Sequence, residues 1–373
     1  MNHSWEYITP EECFSSITPK SKIEKKNYSD GHLIPIISQE EEFISGYWDN
    51  YSDITPHERP VVIFGDHSRV LKYIDFDFVV GADGVKVLLP KESIDAKFLY
   101  YYLKWKDVPS LGYSRHFKLL KNYNYLCPPI IRQTEIVSEL DKINELIALK
   151  RNQLKDHDAL AQSLFYEAFG EPIDNPMRWD VGMLSDYATF KNGLNFTPSD
   201  NGNKVKCLGV GDFKANRYVK AENLPEISLV ESISEDYLLT RGDIILVRSN
   251  GNKALIGRSI MYVSDGSSAT FSGFCIRCRY NRDILSPLFL SYYLSSKTVR
   301  EYITSRGRGC NISNLNQKIL SSIPLMLPPL SLQNQFAAKI ETIEEQKTLV
   351  EASIADLETL LASRMDYWFN DQN

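Results

Sequence analysis

Disulfides, membrane spans and catalytic signatures are what this sequence lacks. Its six cysteines are spread over 373 residues, too few for a disulfide framework. No run of about 18 apolar residues occurs, so nothing in it reads as a membrane-spanning helix. The opening MNHSWEYITPEECF lacks the charged-then-apolar pattern of a leader. A cytoplasmic, reducing location is the expectation. There is no G-x-x-x-x-G-K-[ST] phosphate loop and no G-x-S-x-G nucleophile elbow. The Asn-Pro-Pro-aromatic motif of adenine methyltransferases is missing, because Asn175-Pro176 is followed by Met177. Gly209 to Phe213 (GVGDF) has no third glycine and no following helix, as a dinucleotide site requires. His3, His32, His57, His67, His116 and His157 are scattered without metal-ligand spacing. Cys275 and Cys278 form a lone C-x-x-C inside a strand-like run, where residues three apart point to opposite faces. No catalytic residue and no metal site is expected.

What is present is a repeat. CPPIIRQTEI (Cys127 to Ile136) and LPPLSLQNQF (Leu327 to Phe336) share a double proline and a glutamine four residues after the second proline. Laid on one another at an offset of 200, the two copies align without a gap from Cys127 to Gly170, with ten identities. These are Pro128/Pro328, Pro129/Pro329, Gln133/Gln333, Ile143/Ile343, Glu145/Glu345, Leu149/Leu349, Asp156/Asp356, Leu160/Leu360, Ser163/Ser363 and Phe169/Phe369. Self-similarity at a long fixed offset means a duplicated unit.

Each copy predicts one long helix. The prolines forbid helix at their own positions, and neither Gly nor Pro follows until Gly170 in the first copy, or at all in the second. Apolar residues then recur every three or four positions. One seam runs Ile136, Leu140, Ile143, Ile147, Leu154, Ala161, Leu164 and Ala168; the other runs Phe336, Ile340, Ile343, Val350, Ile354, Leu357, Leu361 and Trp368. A sustained 3.5-residue period is a coiled-coil seam. Each copy's most economical partner is the other. In an antiparallel pair with aligned centres, facing residue numbers sum to about 504. His157 would then face Lys347 in a polar layer, unless both side chains reach out of the seam.

A mixed segment precedes each helix. PVVIFG and FVVGADGVKVLLP in the first, and GDIILVRSNG, IGRSIMYV and FCIRCRY in the second, read as strands. Each segment has an aromatic helix, DAKFLYYYLKW and SPLFLSYYLSS, assigned to the core, and then a basic loop, LGYSRHFKLLKNYNY and SRGRGCNISNLNQK. The net charge of −6 argues against a generic basic nucleic-acid binder. It hides an asymmetry: residues 178–325 hold 19 Lys and Arg against 13 Asp and Glu, whereas both helical copies are acidic. A basic globular segment fits phosphate contact. The reading is α+β, with residues 1–125 a first domain, 126–170 a helix, 171–178 a linker, 179–325 a second domain and 326–373 a second helix.

This order, with RGDIILVRS (Arg241 to Ser249), GCNISNLNQKILSSIPLMLPP, GYSRHFKLLK and the opening WE and WD dipeptides, resembles the specificity subunit of type I restriction–modification systems. The resemblance covers essentially the whole chain. It implies two mixed α/β target-recognition domains separated by an antiparallel coiled coil of two long helices, with an internal pseudo-twofold repeat. It also implies a non-catalytic chain that binds double-stranded DNA, reads a bipartite target with an unread spacer, and docks two methyltransferase subunits and, through them, restriction subunits. S-adenosylmethionine, ATP and Mg are expected on those partners and no cofactor on this chain. A specificity module of another restriction or defence system, and a coiled-coil protein scaffold, are the alternatives. By chemistry, the candidate DNA contacts are Arg69, Arg115, His116 and Lys118 in the first segment. In the second they are Arg248, Asn250, Asn252, Lys253, Arg306, Arg308, Asn311 and Lys318.

Overall fold

The computed structural model describes the whole chain except residues 1–4, 32, 113, 197–201, 214–216, 231, 267, 306–313 and 371–373. The chain forms two compact units, Met1–Asn152 with Val350–Asn373, and Gln153–Leu349. Each unit therefore contains part of both long helices.

Those helices span Ile130–Phe169 and Leu330–Phe369, 40 residues each, and keep the 200-residue offset at both ends. Each starts immediately after its Pro-Pro pair, whose second proline accepts the first helical N–H groups (Gln133 N to Pro129 O, 3.1 Å; Gln333 N to Pro329 O, 3.2 Å). In the first unit, Ile136, Leu140, Ile143 and Ile147 of the first helix are buried with Leu361, Met365 and Phe369 of the second. Arg364 and Glu139 form an ion pair across them. In the second unit, Ala161, Phe165 and Phe169 are buried with Phe336, Ile340 and Ile343, and Lys347 Nζ lies 2.8 Å from Asp158 Oδ1. In both units the paired numbers add to within one of about 504, the antiparallel register that the apolar period predicts. Val350 is buried, and Leu154 and Ile354 are half-buried. The expected His157–Lys347 layer needs correction. The Lys347 ammonium bonds to Asp158 and Glu344 instead, and His157 Nε2 is buried without a hydrogen-bond partner.

The globular part of the first unit contains strands β1 (Glu6–Ile8), β2 (Phe14–Ile17), β3 (Lys22–Ile23), β4 (Ile34–Ile37), β5 (Gly46–Trp48), β6 (Val61–Gly65), β7 (Leu71–Ile74), β8 (Val79–Gly81), β9 (Val85–Pro90) and β10 (Tyr125–Cys127). One sheet has the order β2-β9-β6-β7 and a second β3-β8-β4-β5, while β1 pairs with β10. The VVIFG run is buried on both faces. Val61 and Ile63 enter a core shared with Ile37 and Val80 of the second sheet and with Phe78 just before it. Val62 and Phe64 face the aromatic helix Ala96–Lys106 and the long helices. A strand covered on both sides must be apolar at every position, which is why it shows no alternation.

The second unit repeats this plan with β11 (Val181–Met183), β12 (Ala188–Asn192), β13 (Asn203–Leu208), β14 (Tyr218–Val219), β15 (Glu226–Leu229), β16 (Ile244–Val247), β17 (Ser259–Tyr262), β18 (Ala269–Phe271), β19 (Cys275–Tyr280) and β20 (Pro324–Met326). Its sheets run β12-β19-β16-β17-β14 and β15-β13-β18, and β11 pairs with β20. Again Ile244 and Leu246 face the aromatic helix Pro287–Ser295, while Ile245 and Val247 face the second sheet. Both aromatic helices are core elements, as their composition predicts.

Gln133 and Gln333 explain why the Pro-Pro punctuation recurs with its glutamine. Both are fully buried. Gln133 Nε2 donates to Pro128 O and Ser93 O, each at 2.8 Å, and its Oε1 accepts from Asp95 N at 2.8 Å. Gln333 Nε2 donates to Pro328 O (2.8 Å) and Ile284 O (3.0 Å), and its Oε1 accepts from Ser286 N (2.8 Å). Asp95 and Ser286 are the N-caps of the two aromatic helices. Each glutamine thus latches the aromatic helix of a globular domain to the first turn of a long helix.

Candidate nucleic-acid interface

Three chain segments meet at one corner of each globular domain. In the first unit they are the β6–β7 loop, the β8–β9 turn and the stretch before Phe117. Asp66 N donates to Gly84 O (2.6 Å), His116 N to Asp66 O (2.8 Å) and Phe117 N to Asp66 Oδ1 (2.8 Å). In the second unit the same segments are joined by Arg248 N to Phe274 O (2.8 Å) and Leu315 N to Arg248 O (2.7 Å). Among the described candidates, His116 and Arg248 make these corner contacts, and Arg69 and Arg115 lie on the same segments.

His116 is not a surface residue. It is fully buried; its Nε2 accepts from Leu111 N (3.0 Å), so its Nδ1 carries the hydrogen and donates to Asp66 O (2.9 Å). It fills the position that Leu315 fills in the second unit, also buried. The basic composition of its loop pointed to DNA, but the ring is committed to holding the corner together. Arg69 is also largely committed. It sits at φ +63°, donates Nη1 to Val108 O (2.8 Å) and lies 3.9 Å from the Asp107 carboxylate. Arg115 and Lys118 are exposed. Beside them, the exposed Asp83 is held below the usual carboxylate range, chiefly by its hydrogen bond from Lys22 (2.8 Å) and in part by the Arg115 charge.

In the second unit Arg248 is half-buried and donates Nη1 to Gly273 O (3.2 Å). Asn250 Oδ1 accepts from Asn252 N (2.8 Å) and Asn252 Oδ1 from Ala254 N (3.0 Å). Their carbonyls are engaged in turns, so they offer chiefly amide donors rather than the bidentate adenine contact their type suggests. Lys253 and Lys318 are exposed. Arg306, Arg308 and Asn311 lie outside the described residues. The candidate list omitted Phe274, 61% exposed beside Arg248, and Phe196, with which it lines a groove. The available signal was an aromatic directly after a Ser-Gly turn.

Among the described residues no three His, Cys, Asp or Glu side chains cluster as a metal site would require. Cys275 and Cys278 enter different cores, and burial pushes both thiols up, away from the thiolate that a metal needs. No helix among the described residues is long and apolar enough to cross a membrane.

Two globular frameworks that share the central strand order β2-β9-β6-β7 and β12-β19-β16-β17, are latched alike to paired helices and carry unlike loop corners define an internally duplicated protein. The profile of the type I restriction modification DNA specificity domain matches residues 2–157 and 176–359. The chain belongs to that family. It is 31% identical over 164 residues to the type I restriction enzyme StySPI specificity subunit of Salmonella potsdam, a match covering 42% of this chain but only 35% of that protein. To the MjaVIII specificity subunit of Methanocaldococcus jannaschii it is 21% identical over 330 residues, covering 78% of this chain and 74% of that one. The fold is similar to that of the S subunit from M. genitalium, with TM-score 0.52 at 14% identity, covering 100% and 98% of the two chains. It is also similar to a chain from a study of complex assembly and conformational transition in the type I restriction–modification system, with TM-score 0.55 at 18% identity and 98% of both chains covered.

Proposed function

We propose that the chain is the DNA-reading subunit of a type I restriction–modification complex. It selects a two-part target with an unread spacer, one half-site per recognition domain, and docks methyltransferase subunits. The observation that carries this reading is the pair of loop corners, whose framework and backbone bonding agree while their side chains differ. Unlike corners on one framework suit unlike half-sites. The surplus of Lys and Arg in residues 178–325 suits the phosphate backbone. On this reading Arg115, Lys118, Arg248, Lys253 and Lys318 are phosphate or guanine contacts, with Arg306 and Arg308 included by charge and Asn311 by type. Asn250 and Asn252 supply amide donors.

Leu149 and Leu349, and Leu160 and Leu360, are twin positions of the repeat, off the seam and exposed. Exposed leucines repeated at twin positions suit two copies of one partner. Those copies are two methyltransferase subunits, which bring S-adenosylmethionine, with restriction subunits, ATP and Mg joined through them. The chain contributes no catalysis and works in the cytoplasm. The test is the methylation pattern of host DNA with and without this chain. One bipartite motif should vanish on its deletion; an unchanged pattern refutes the reading. The purified chain alone should transfer no methyl group to DNA.

A further inference from the structure

The turn Ser272–Phe274 between β18 and β19 holds a large apolar ring outside the core. Its backbone is fixed on every side. Gly273 N donates to Leu194 O (2.7 Å), Phe274 N to Ser272 Oγ (3.3 Å), and Phe274 O accepts from Arg248 N (2.8 Å) and Ser249 N (3.2 Å). A Cβ on Gly273 would meet Asn195 Oδ1 at 2.0 Å, so a larger residue there displaces the Asn195 side chain. The ring nevertheless stays 61% exposed. With Phe196, Val210, Pro225 and Ile227 it lines an open groove of about 460 Å3, which Ser249 and Asn250 also line. The groove therefore joins an apolar floor to a hydroxyl and an amide, beside the Arg248 guanidinium.

The equivalent turn in the first unit has a different chemistry. Gly84 occupies the place of Phe274, since its carbonyl accepts from Asp66 N as that of Phe274 accepts from Arg248 N. It lies at φ +91°, and a Cβ there would fall 2.6 Å from the Gln39 amide, so no ring fits. Its neighbour Asp83 is exposed and paired with Lys22. The same framework position is thus apolar in one recognition domain and polar in the other.

We propose that Phe274 reads a base in the half-site of the second recognition domain, its ring taking the 5-methyl edge of a thymine in the major groove; this rests on the DNA-reading function proposed above. In that groove thymine presents its methyl next to the O4 acceptor. An apolar wall with the Asn250 amide on the same groove matches the pair, the amide being the donor for O4.

The test uses the chain assembled with its methyltransferase partner and a duplex bearing its mapped target, each thymine replaced singly by deoxyuridine. That change removes only the methyl group. One position in the second domain's half-site should weaken wild-type binding about fourfold, the effect of one buried methyl. Phe274→Ala should bind the thymine target about as weakly as wild type binds the uracil one, and should no longer distinguish the two there. Its melting temperature should match wild type, because the ring is exposed. Wild-type affinity in Phe274→Ala, or weakened binding that still discriminates thymine from uracil at every position, overturns the assignment; the second result makes the ring a partner contact. A wild-type complex that selects no sequence at all refutes the DNA-reading function itself, and so separates the two failures.

Discussion

Gln133 and Gln333, the glutamines of the two Pro-Pro motifs, make the same three hydrogen bonds, each from a fully buried side chain. Identical bonding at twin positions ties each recognition domain to its own long helix in the same way. A duplicated recognition device needs this constancy if only the loop corners are to vary.

Removing either glutamine side chain leaves two carbonyls and one N–H without the buried partner they share. Gln133→Ala and Gln333→Ala should each cost about 3 kcal/mol, from the penalty for leaving buried polar groups unpaired. Gln→Glu should be nearly as harmful, because an ionised carboxylate cannot donate to Pro128 O or Pro328 O. Denaturant unfolding of the full chain measures both. Wild-type midpoints would show that the latch is dispensable.

The ion pair between Arg364 and Glu139 predicts acid sensitivity. The hydrogen bond from Arg364 holds the Glu139 carboxyl below its ordinary 4.5, assisted by Trp368 Nε1 at 3.0 Å. A carboxylate depressed in the folded state adds stability that is complete above its unfolded value and is lost as pH falls through the folded one. The melting temperature should therefore drop as pH falls below about 4.5, more steeply in wild type than in Glu139→Gln. Parallel curves for the two proteins would remove this pair from the acid response.

Much of this architecture is legible in the sequence because its causes are local. Proline geometry sets the helix starts, the 3.5-residue period sets the seam and register, and runs such as VVIFG and IILV announce strands buried on two faces. The loop corners are less legible because their chemistry depends on which segments meet. His116 reads as one of several basic residues in a turn, yet two long-range backbone contacts bury it. Phe274 reads as one more aromatic in a strand, yet the turn before it lifts it out of the core. Lys347 finds Asp158 rather than His157, because a long side chain reaches past the residue nominally opposite.

Burial separates two neighbours that the sequence groups together. His116→Ala should lower the melting temperature by removing the acceptor for Leu111 N and the donor to Asp66 O. Arg115→Ala should leave the melting temperature unchanged and weaken DNA binding by the assembled complex. If the contact is to phosphate, its salt dependence should also flatten by about one unit. The opposite assignment of the two effects would contradict the placement of these side chains.

On the DNA-reading function proposed above, the paired helices would set the distance between the two half-sites, and the length of the spacer tests this. One heptad inserted in each helix at the boundary of the units, after Asn152 and after Leu349, keeps the apolar seam in phase. Seven residues add about 10 Å of helix, which corresponds to about three base pairs along a nearly parallel duplex. Three base pairs also rotate the far half-site by about 100°. Across a library of spacer lengths, the assembled complex should shift its methylation optimum to a longer spacer, or lose affinity because the half-sites no longer face one side. An unchanged optimum at unchanged affinity would contradict it.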